Sequence, residues 1–263
     1  MIDVLWLVFA FLYGMILGSF TNVCIYRIPE KVSLWAPPST CPGCGNLIKW
    51  YDNIPVFSFI ILGAKCRNCK TKIAMQYPAI EMLTGFLVAL LYIKTGLSYD
   101  MIFLPAIVVV LITIAAIDYK TMIIPNGTVI ALIIIGGLYT IARLVFPQEF
   151  VIQITWLESL IGFFAASVPL FLVAVISKGG MGGGDIKLMA AAGIFLGWKG
   201  VLVAMTFGSL IGAIVSLTLI AMKIKKRKDL IPFGPFLCLG ILVAAIVGPD
   251  LIQWYTGLFT FIP

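Results

Sequence analysis

Two aspartates stand where an apolar segment meets polar chain. Asp118 closes one such segment, and Asp185 opens another, directly after a run in which five of the six residues from Gly179 to Gly184 are glycine. A carboxylate in or beside hydrocarbon is costly and usually has a task. Two carboxylates brought together do not both ionise easily: one keeps a proton as general acid while the other, as general base, activates water. That is aspartic-protease chemistry, which needs no metal, no histidine and no covalent intermediate. Either aspartate can take either role. The plainer readings are that Asp185 is a helix N-cap and that Asp118 is a boundary residue paired with Lys120. Against a simple cap, only Met181 carries a side chain between Gly179 and Gly184. So much glycine is costly unless another backbone approaches closely, as an extended peptide substrate would. Beyond Asp118, the stretch Tyr119 to Asn126 is polar and then proline-broken, which would hold that helix end open.

Four cysteines form a second constellation. Cys41-Pro42-Gly43-Cys44 and Cys66-Arg67-Asn68-Cys69 give C-x2-C-x21-C-x2-C. Paired CxxC knuckles each present two thiolates to one tetrahedral ion, the usual structural zinc arrangement. Four cysteine ligands leave no open position for water, so such an ion is structural rather than catalytic. Iron, redox-active thiols and idle thiols are the other readings. Gly43, Gly45 and Asn68 suit the tight turns. Cys24 and Cys238 lie in apolar segments and read as packing residues.

These residues sit in a chain of 263 residues that is 62% hydrophobic and 11% charged, with a mean hydropathy of +1.12. Soluble domains run near a quarter charged, so the composition implies an all-α polytopic membrane protein. Apolar runs of roughly 20 residues mark the spans. They fall at about 4–26, 78–95, 101–119, 128–146, 155–177, 186–198, 200–222 and 236–255, eight in all, the sixth short enough to be tilted or only partly spanning. The first run has Asp3 in place of a basic start and no small-residue cleavage site, so it reads as a retained span rather than a signal peptide. The domains expected are a first transmembrane helix (1–26), a loop-rich tetracysteine module (27–77) and a transmembrane domain carrying both aspartates (78–263).

Lys and Arg set the orientation. With the first loop inside, 15 of the 18 basic residues are inside, and only Lys94, Arg143 and Lys199 are outside. The positive-inside rule then puts both termini outside and the cysteine module in the cytoplasm, with Asp118 and Asp185 both at cytoplasmic helix ends. The net charge of +7 therefore reads as topology and not as a nucleic-acid surface. The basic run Lys223 to Lys228 is read chiefly as a topology anchor, with anionic lipid or a charged partner as the lesser reading.

In this order the motifs closely resemble the type IV prepilin peptidases, bifunctional leader peptidases and N-methyltransferases. The resemblance runs through Gly18-Ser19-Phe20-Thr21-Asn22-Val23, Ile25-Tyr26-Arg27-Ile28-Pro29, both knuckles, Asp52-Asn53-Ile54-Pro55 and Tyr77-Pro78-Ala79-Ile80-Glu81. It continues through Asp118 with Ile124-Pro125-Asn126, Gly182-Gly183-Gly184-Asp185-Ile186-Lys187-Leu188 and Ile231-Pro232-Phe233-Gly234-Pro235-Phe236. A lone GxGD is weak, being shared with presenilin-like proteases; the combination is specific.

The resemblance implies catalytic roles for Asp118 and Asp185. It also implies cleavage of a short basic leader from prepilins or pseudopilins at the cytoplasmic membrane face, and methylation of the new α-amine with S-adenosylmethionine. It places the protein in the cytoplasmic (inner) membrane of its cell, with the lipid bilayer and the prepilin substrate as partners. The tetracysteine module accompanies the bifunctional members. Asn126 departs from the family, many members of which carry Asp there. No soluble-type glycine fingerprint locates the methyl donor, so its site stays unassigned. Glu81 is a candidate for methyl-donor or α-amine binding, against the plainer reading of a helix N-terminal acid. Asn22, Arg27 and Lys187 are further possibilities. The competing functions are a leader peptidase without methyltransferase activity and, from another class, an ion transporter whose two aspartates bind a cation or proton.

Overall fold

The structure, a computed structural model, describes residues 3–177, 180–226 and 229–259. Lys178 and Gly179 of the glycine run, and Arg227 and Lys228 of the basic run, lie outside the described residues. Helices dominate: α1 (Val4–Arg27), α2 (Phe57–Ile61), α3 (Gln76–Thr95), α4 (Asp100–Thr121), α5 (Asn126–Val145), α6 (Trp156–Ile176), α7 (Gly183–Ala221) and α8 (Gly234–Phe259). No named strand occurs among the described residues, only isolated bridges at Thr40–Leu47 and Lys65–Lys72.

Their ends follow from local chemistry. The Asp3 carboxylate accepts from Leu5 N–H at 2.9 Å to start α1. Thr155 and Glu158 form a capping box at the start of α6. Gly96, at φ 62°, ends α3, and Met122, in the left-handed region, ends α4.

Among the described residues, seven helices are long and apolar enough to cross a membrane. The eight sequence segments and the seven helices cover the same chain, because α7 takes in the sixth and seventh segments. Its 39 residues would run about 58 Å as one helix, nearly twice the hydrocarbon thickness of roughly 30 Å. It does not run straight. Gly197, at φ 68° and ψ 176°, breaks the helical path, a backbone state that only glycine adopts without strain. The helices also keep large apolar side chains on their surfaces, such as Val4, Ile16, Phe164, Phe171, Val175 and Leu217, far beyond what a water-facing surface tolerates.

The chain forms two compact units, residues 1–96 with 104–113, and residues 97–103 with 114–263. In the first, α1 packs along α3 through small residues: a Cβ on Gly14 would fall 2.8 Å from Gly85 Cα, and one on Gly18 would fall 2.6 Å from Glu81 Cα. Lipid gives helices no hydrophobic reason to associate, so close backbone packing of this kind does the work. In the second, α7 packs on α5, α6 and α8, and Gly162 and Gly193 bring the α6 and α7 backbones together.

The second unit also holds a buried polar cluster at the start of α4. Asp100, Tyr139 and Arg143 are all essentially inaccessible. The Tyr139 phenol donates to Asp100, which also accepts from Val151 N–H at 2.8 Å and Ser98 Oγ at 3.0 Å. Arg143 lies 3.9 Å over the Tyr139 ring and donates to Phe195 C=O at 2.9 Å. Arg143, which the Lys and Arg count expects on the outside, is buried within the protein. Tyr139→Phe should cost about 1–3 kcal/mol, because it leaves a buried carboxylate oxygen without that donor. A thermal melt in detergent that is unchanged from the wild type would contradict this.

Candidate active site and metal centre

Asp118 sits in the last turn of α4 and is 5% exposed; Asp185 sits in the first turn of α7 and is 9% exposed. The two carboxylates are within electrostatic reach of one another. Both also act on Cys238, buried one turn into α8. The N-cap reading of Asp185 is corrected. Gly182 occupies the cap position without a side-chain bond, and Gly183 and Gly184 already belong to α7. Asp185 is the third helical residue, and its N–H donates to Gly182 C=O at 3.2 Å. Its carboxylate reaches back to the Gly182 backbone at the helix start, so Asp185 touches the cap without being the cap residue itself.

Two elements that the sequence did not single out as site residues hold this pair. Gly234 N–H, 116 positions along the chain, donates to Asp118 Oδ2 at 3.0 Å. A Cβ on Gly234 would lie 2.6 Å from that oxygen, so only glycine lets the backbone come this near. Ile124 is the second. Its side chain lies where a Cβ on Gly184 would meet it at 2.9 Å and one on Gly234 at 3.2 Å. One buried isoleucine thus packs against the residue beside Asp185 and against the donor to Asp118. Both positions fall in motifs that carried the family resemblance, Ile124-Pro125-Asn126 and Phe233-Gly234-Pro235, and neither has a side chain that announces chemistry. Asn126 is occupied by another partner: its Oδ1 accepts from Lys187 Nζ at 3.1 Å, joining the starts of α5 and α7.

In the first unit the four cysteines converge. All four Sγ atoms lie within 4.8 Å of one another, and Cys41 and Cys69 Sγ are 3.7 Å apart. A tetrahedral ion with metal–sulfur bonds of about 2.3 Å separates its sulfurs by about 3.8 Å, so the donor set fits zinc. None of the cysteines is in a disulfide. The two knuckles repeat one backbone design. Cys41 N–H donates to Asn46 C=O at 2.9 Å and Cys66 N–H to Thr71 C=O at 2.8 Å. The residue after the second cysteine is left-handed in each, Gly45 at φ 71° and Lys70 at φ 60°. The left-handed turn positions are thus Gly45 and Lys70, and Asn68 lies within the turn at 67–69 of the second knuckle. Gly43 packs on Thr71 of the opposite knuckle. Hydrogen bonds from the Thr71 hydroxyl and backbone pull the Cys69 thiol down to about 6, toward the thiolate that binds metal.

The surrounding loops are tied to the same framework. Arg67, inside the second knuckle, bonds Asp52 through Nε at 2.9 Å and NH2 at 2.6 Å, and its guanidinium holds the Asp52 carboxyl below the usual range. The Arg27 guanidinium donates to the carbonyls of Ser33, Leu34 and Pro37. That engages Arg27 in structure.

Comparison with known proteins decides the family. The Bacillus subtilis (strain 168) prepilin leader peptidase/N-methyltransferase is 36% identical over 93% of this chain and 96% of its own length. The chain belongs to the type IV leader peptidase family. Residues 105–217 match that family's model, and residues 12–95 match the bacterial peptidase A24 N-terminal domain. The prepilin leader peptidase/N-methyltransferase of Neisseria gonorrhoeae is 31% identical over 85% of the chain and 84% of its length. That of Legionella pneumophila is 29% identical over 94% and 93%. No solved structure gives a significant match. Within the family model's range lie both Asp118 and Asp185.

Proposed function

We propose that this protein is a prepilin leader peptidase that also N-methylates the residue it exposes, with Asp118 and Asp185 as its catalytic pair. The observation that carries the reading is the pair itself: two buried carboxylates in mutual reach at the junction of α4, α7 and α8, in a chain belonging to a leader peptidase family. In a low-dielectric site one carboxylate keeps a proton and the other does not. The ionised one takes a proton from water, which attacks the scissile carbonyl. The protonated one donates to the carbonyl oxygen and, as the tetrahedral intermediate collapses, a proton passes to the leaving amine. The Gly234 N–H holds Asp118 Oδ2, which leaves its other oxygen to face water or substrate.

The orientation proposed is the one set by Lys and Arg, with the catalytic pair and the cysteine module on the cytoplasmic side of the inner membrane and both termini outside. A basic leader would then be met on the side where it is made, while the apolar segment that follows stays in lipid. Cys41, Cys44, Cys66 and Cys69 would hold one zinc ion, which supplies cross-linking and no open coordination position. S-adenosylmethionine supplies the methyl group.

The deciding experiment is mass spectrometry of a prepilin-like substrate incubated with membranes holding the protein, with and without S-adenosylmethionine. Leader loss in both, plus one methyl group only with the donor, is expected. Leader loss without methylation would leave a peptidase alone, and no cleavage of any leader tried would overturn the reading.

The geometry gives a further expected result. Gly234→Ala should reduce cleavage by about 10²-fold, since a displaced catalytic carboxylate costs on that order, while insertion is retained. Cleavage within a few-fold of the wild type would show that Asp118 does not depend on this approach.

A further inference from the structure

Between α1 and α3 two acceptors are buried without a charged partner among the described residues. Glu81 is 8% exposed and Asn22 4%. Asn22 Nδ2 donates to Gly18 C=O at 3.3 Å in its own helix and to Tyr77 C=O at 3.1 Å, one turn before Glu81 on α3. Those two carbonyls fix which end of the amide is nitrogen, and Asn22 Oδ1 is left without a donor among the described residues. Glu81 Oε2 accepts from Val56 N–H at 2.8 Å, and Ser19, on α1 beside Gly18, shares a side-chain hydrogen bond with the carboxylate. Both of these partners are uncharged. A buried carboxylate normally has a charged partner, and a buried amide oxygen normally has a donor.

The protein also strains itself to hold this carboxylate. Val56 delivers its N–H from φ 62° and ψ −48°, a conformation that is a true outlier for a β-branched residue. Strain of this sort gathers at functional sites.

We propose that Glu81, Asn22 and Ser19 form a binding site for an organic ammonium group, the amino end of a participant in methyl transfer. Glu81 supplies the charge, and Asn22 Oδ1 supplies a second acceptor for an ammonium N–H. A hard metal ion fits poorly, since calcium and magnesium require six or more oxygens and the site offers one carboxylate. The inference rests on the proposed methyltransferase activity. Two sources present the same chemistry: the new N-terminal amine of the cleaved peptide, and the amino-acid end of S-adenosylmethionine.

The test compares purified wild type, Glu81→Gln and Ser19→Ala in nanodiscs. Binding of radiolabelled S-adenosylmethionine is measured directly, as is binding of a leader-free peptide with a free N-terminus in the absence of methyl donor. Leader cleavage by the same preparations reports the fold, and Glu81→Gln keeps an oxygen for Val56 N–H. Removing the charge should weaken one of the two ligands by at least about 30-fold and lower methylation correspondingly, with cleavage retained. Ser19→Ala should change the same affinity in the same direction by less. Weakened donor binding assigns the site to S-adenosylmethionine, and weakened peptide binding assigns it to the new N-terminus. Both affinities within two-fold of wild type would overturn the proposal, as would loss of cleavage together with methylation, which would make Glu81 a fold residue. A wild type that cleaves but never methylates would defeat the methyltransferase reading, while the peptide-binding arm would still decide whether the site takes an ammonium group.

Discussion

Asp118→Asn and Asp185→Asn should each abolish leader cleavage, by on the order of 10⁴-fold, while the protein still inserts and stays folded. General acid–base catalysis contributes up to about that factor, and in a pair that works as one unit the loss of either member removes both functions. Asparagine keeps the shape of each side chain and much of its hydrogen bonding. At Asp118 its carbonyl oxygen still accepts from Gly234 N–H, so the contact between α4 and α8 persists. Removing one of two neighbouring carboxylates also relieves their mutual repulsion, so neither variant should melt below the wild type. The measurement is cleavage of a prepilin-like substrate by membranes matched for protein level, alongside a thermal melt. Wild-type-like cleavage by either variant would sink the two-carboxylate mechanism, and a collapsed melt would mean that the acids serve the fold. The double variant should be no worse than either single one.

How far this could be read from sequence depended on where the relevant interactions lie along the chain. The spans were legible because lipid demands long apolar runs, and their edges fell within a few residues of the helices. The break in α7 was visible only as a short sixth segment, since one glycine turning at φ 68° leaves almost no trace in hydropathy. The cysteine knuckles were legible because their geometry is local: four thiols need two close pairs. The aspartates stood out by type and place. Their supports did not, because a backbone N–H from Gly234 and a methyl-bearing side chain at Ile124 carry no chemical label, and the Gly234 contact closes over 116 positions. The burial of Arg143 beside Tyr139 and Asp100 was hidden for the same reason. A charge near a helix end usually marks the water side, and only its tertiary partners show that it is also buried within the protein.

Stripping metal from the cysteine module should unfold it. Between Lys31 and Tyr77 only Cys41 and Ser58 are buried, and Trp35 and Trp50 are largely exposed. The segment therefore has almost no hydrophobic core of its own. Its regular backbone pairing amounts to the five-residue α2, a single 3-10 turn at Trp50–Asp52, two isolated bridges and the two matching knuckle turns. A segment so poor in buried apolar surface relies on cross-links. With no disulfide present, the four thiolates and their ion are the cross-link. Structural zinc contributes on the order of 10 kcal/mol in small domains, more than a module of this kind gains from packing. Amides at Cys41, Gly45, Cys66 and Lys70, which close the knuckles, should lose their hydrogen-exchange protection when a chelator removes the ion, and regain it when zinc returns. Cys66→Ser should do the same without chelator. Metal analysis should find one zinc per chain in the wild type, and cobalt substitution should give the absorption of a tetrahedral thiolate site. Unchanged protection after complete metal removal would mean that the hydrogen bonds of Arg27 to residues 33–37 and the Arg67–Asp52 pair hold the module by themselves. The Arg67–Asp52 pair lies at the surface and contributes at most about 1 kcal/mol, and Arg27 ties down only residues 33–37, too little to replace the ion.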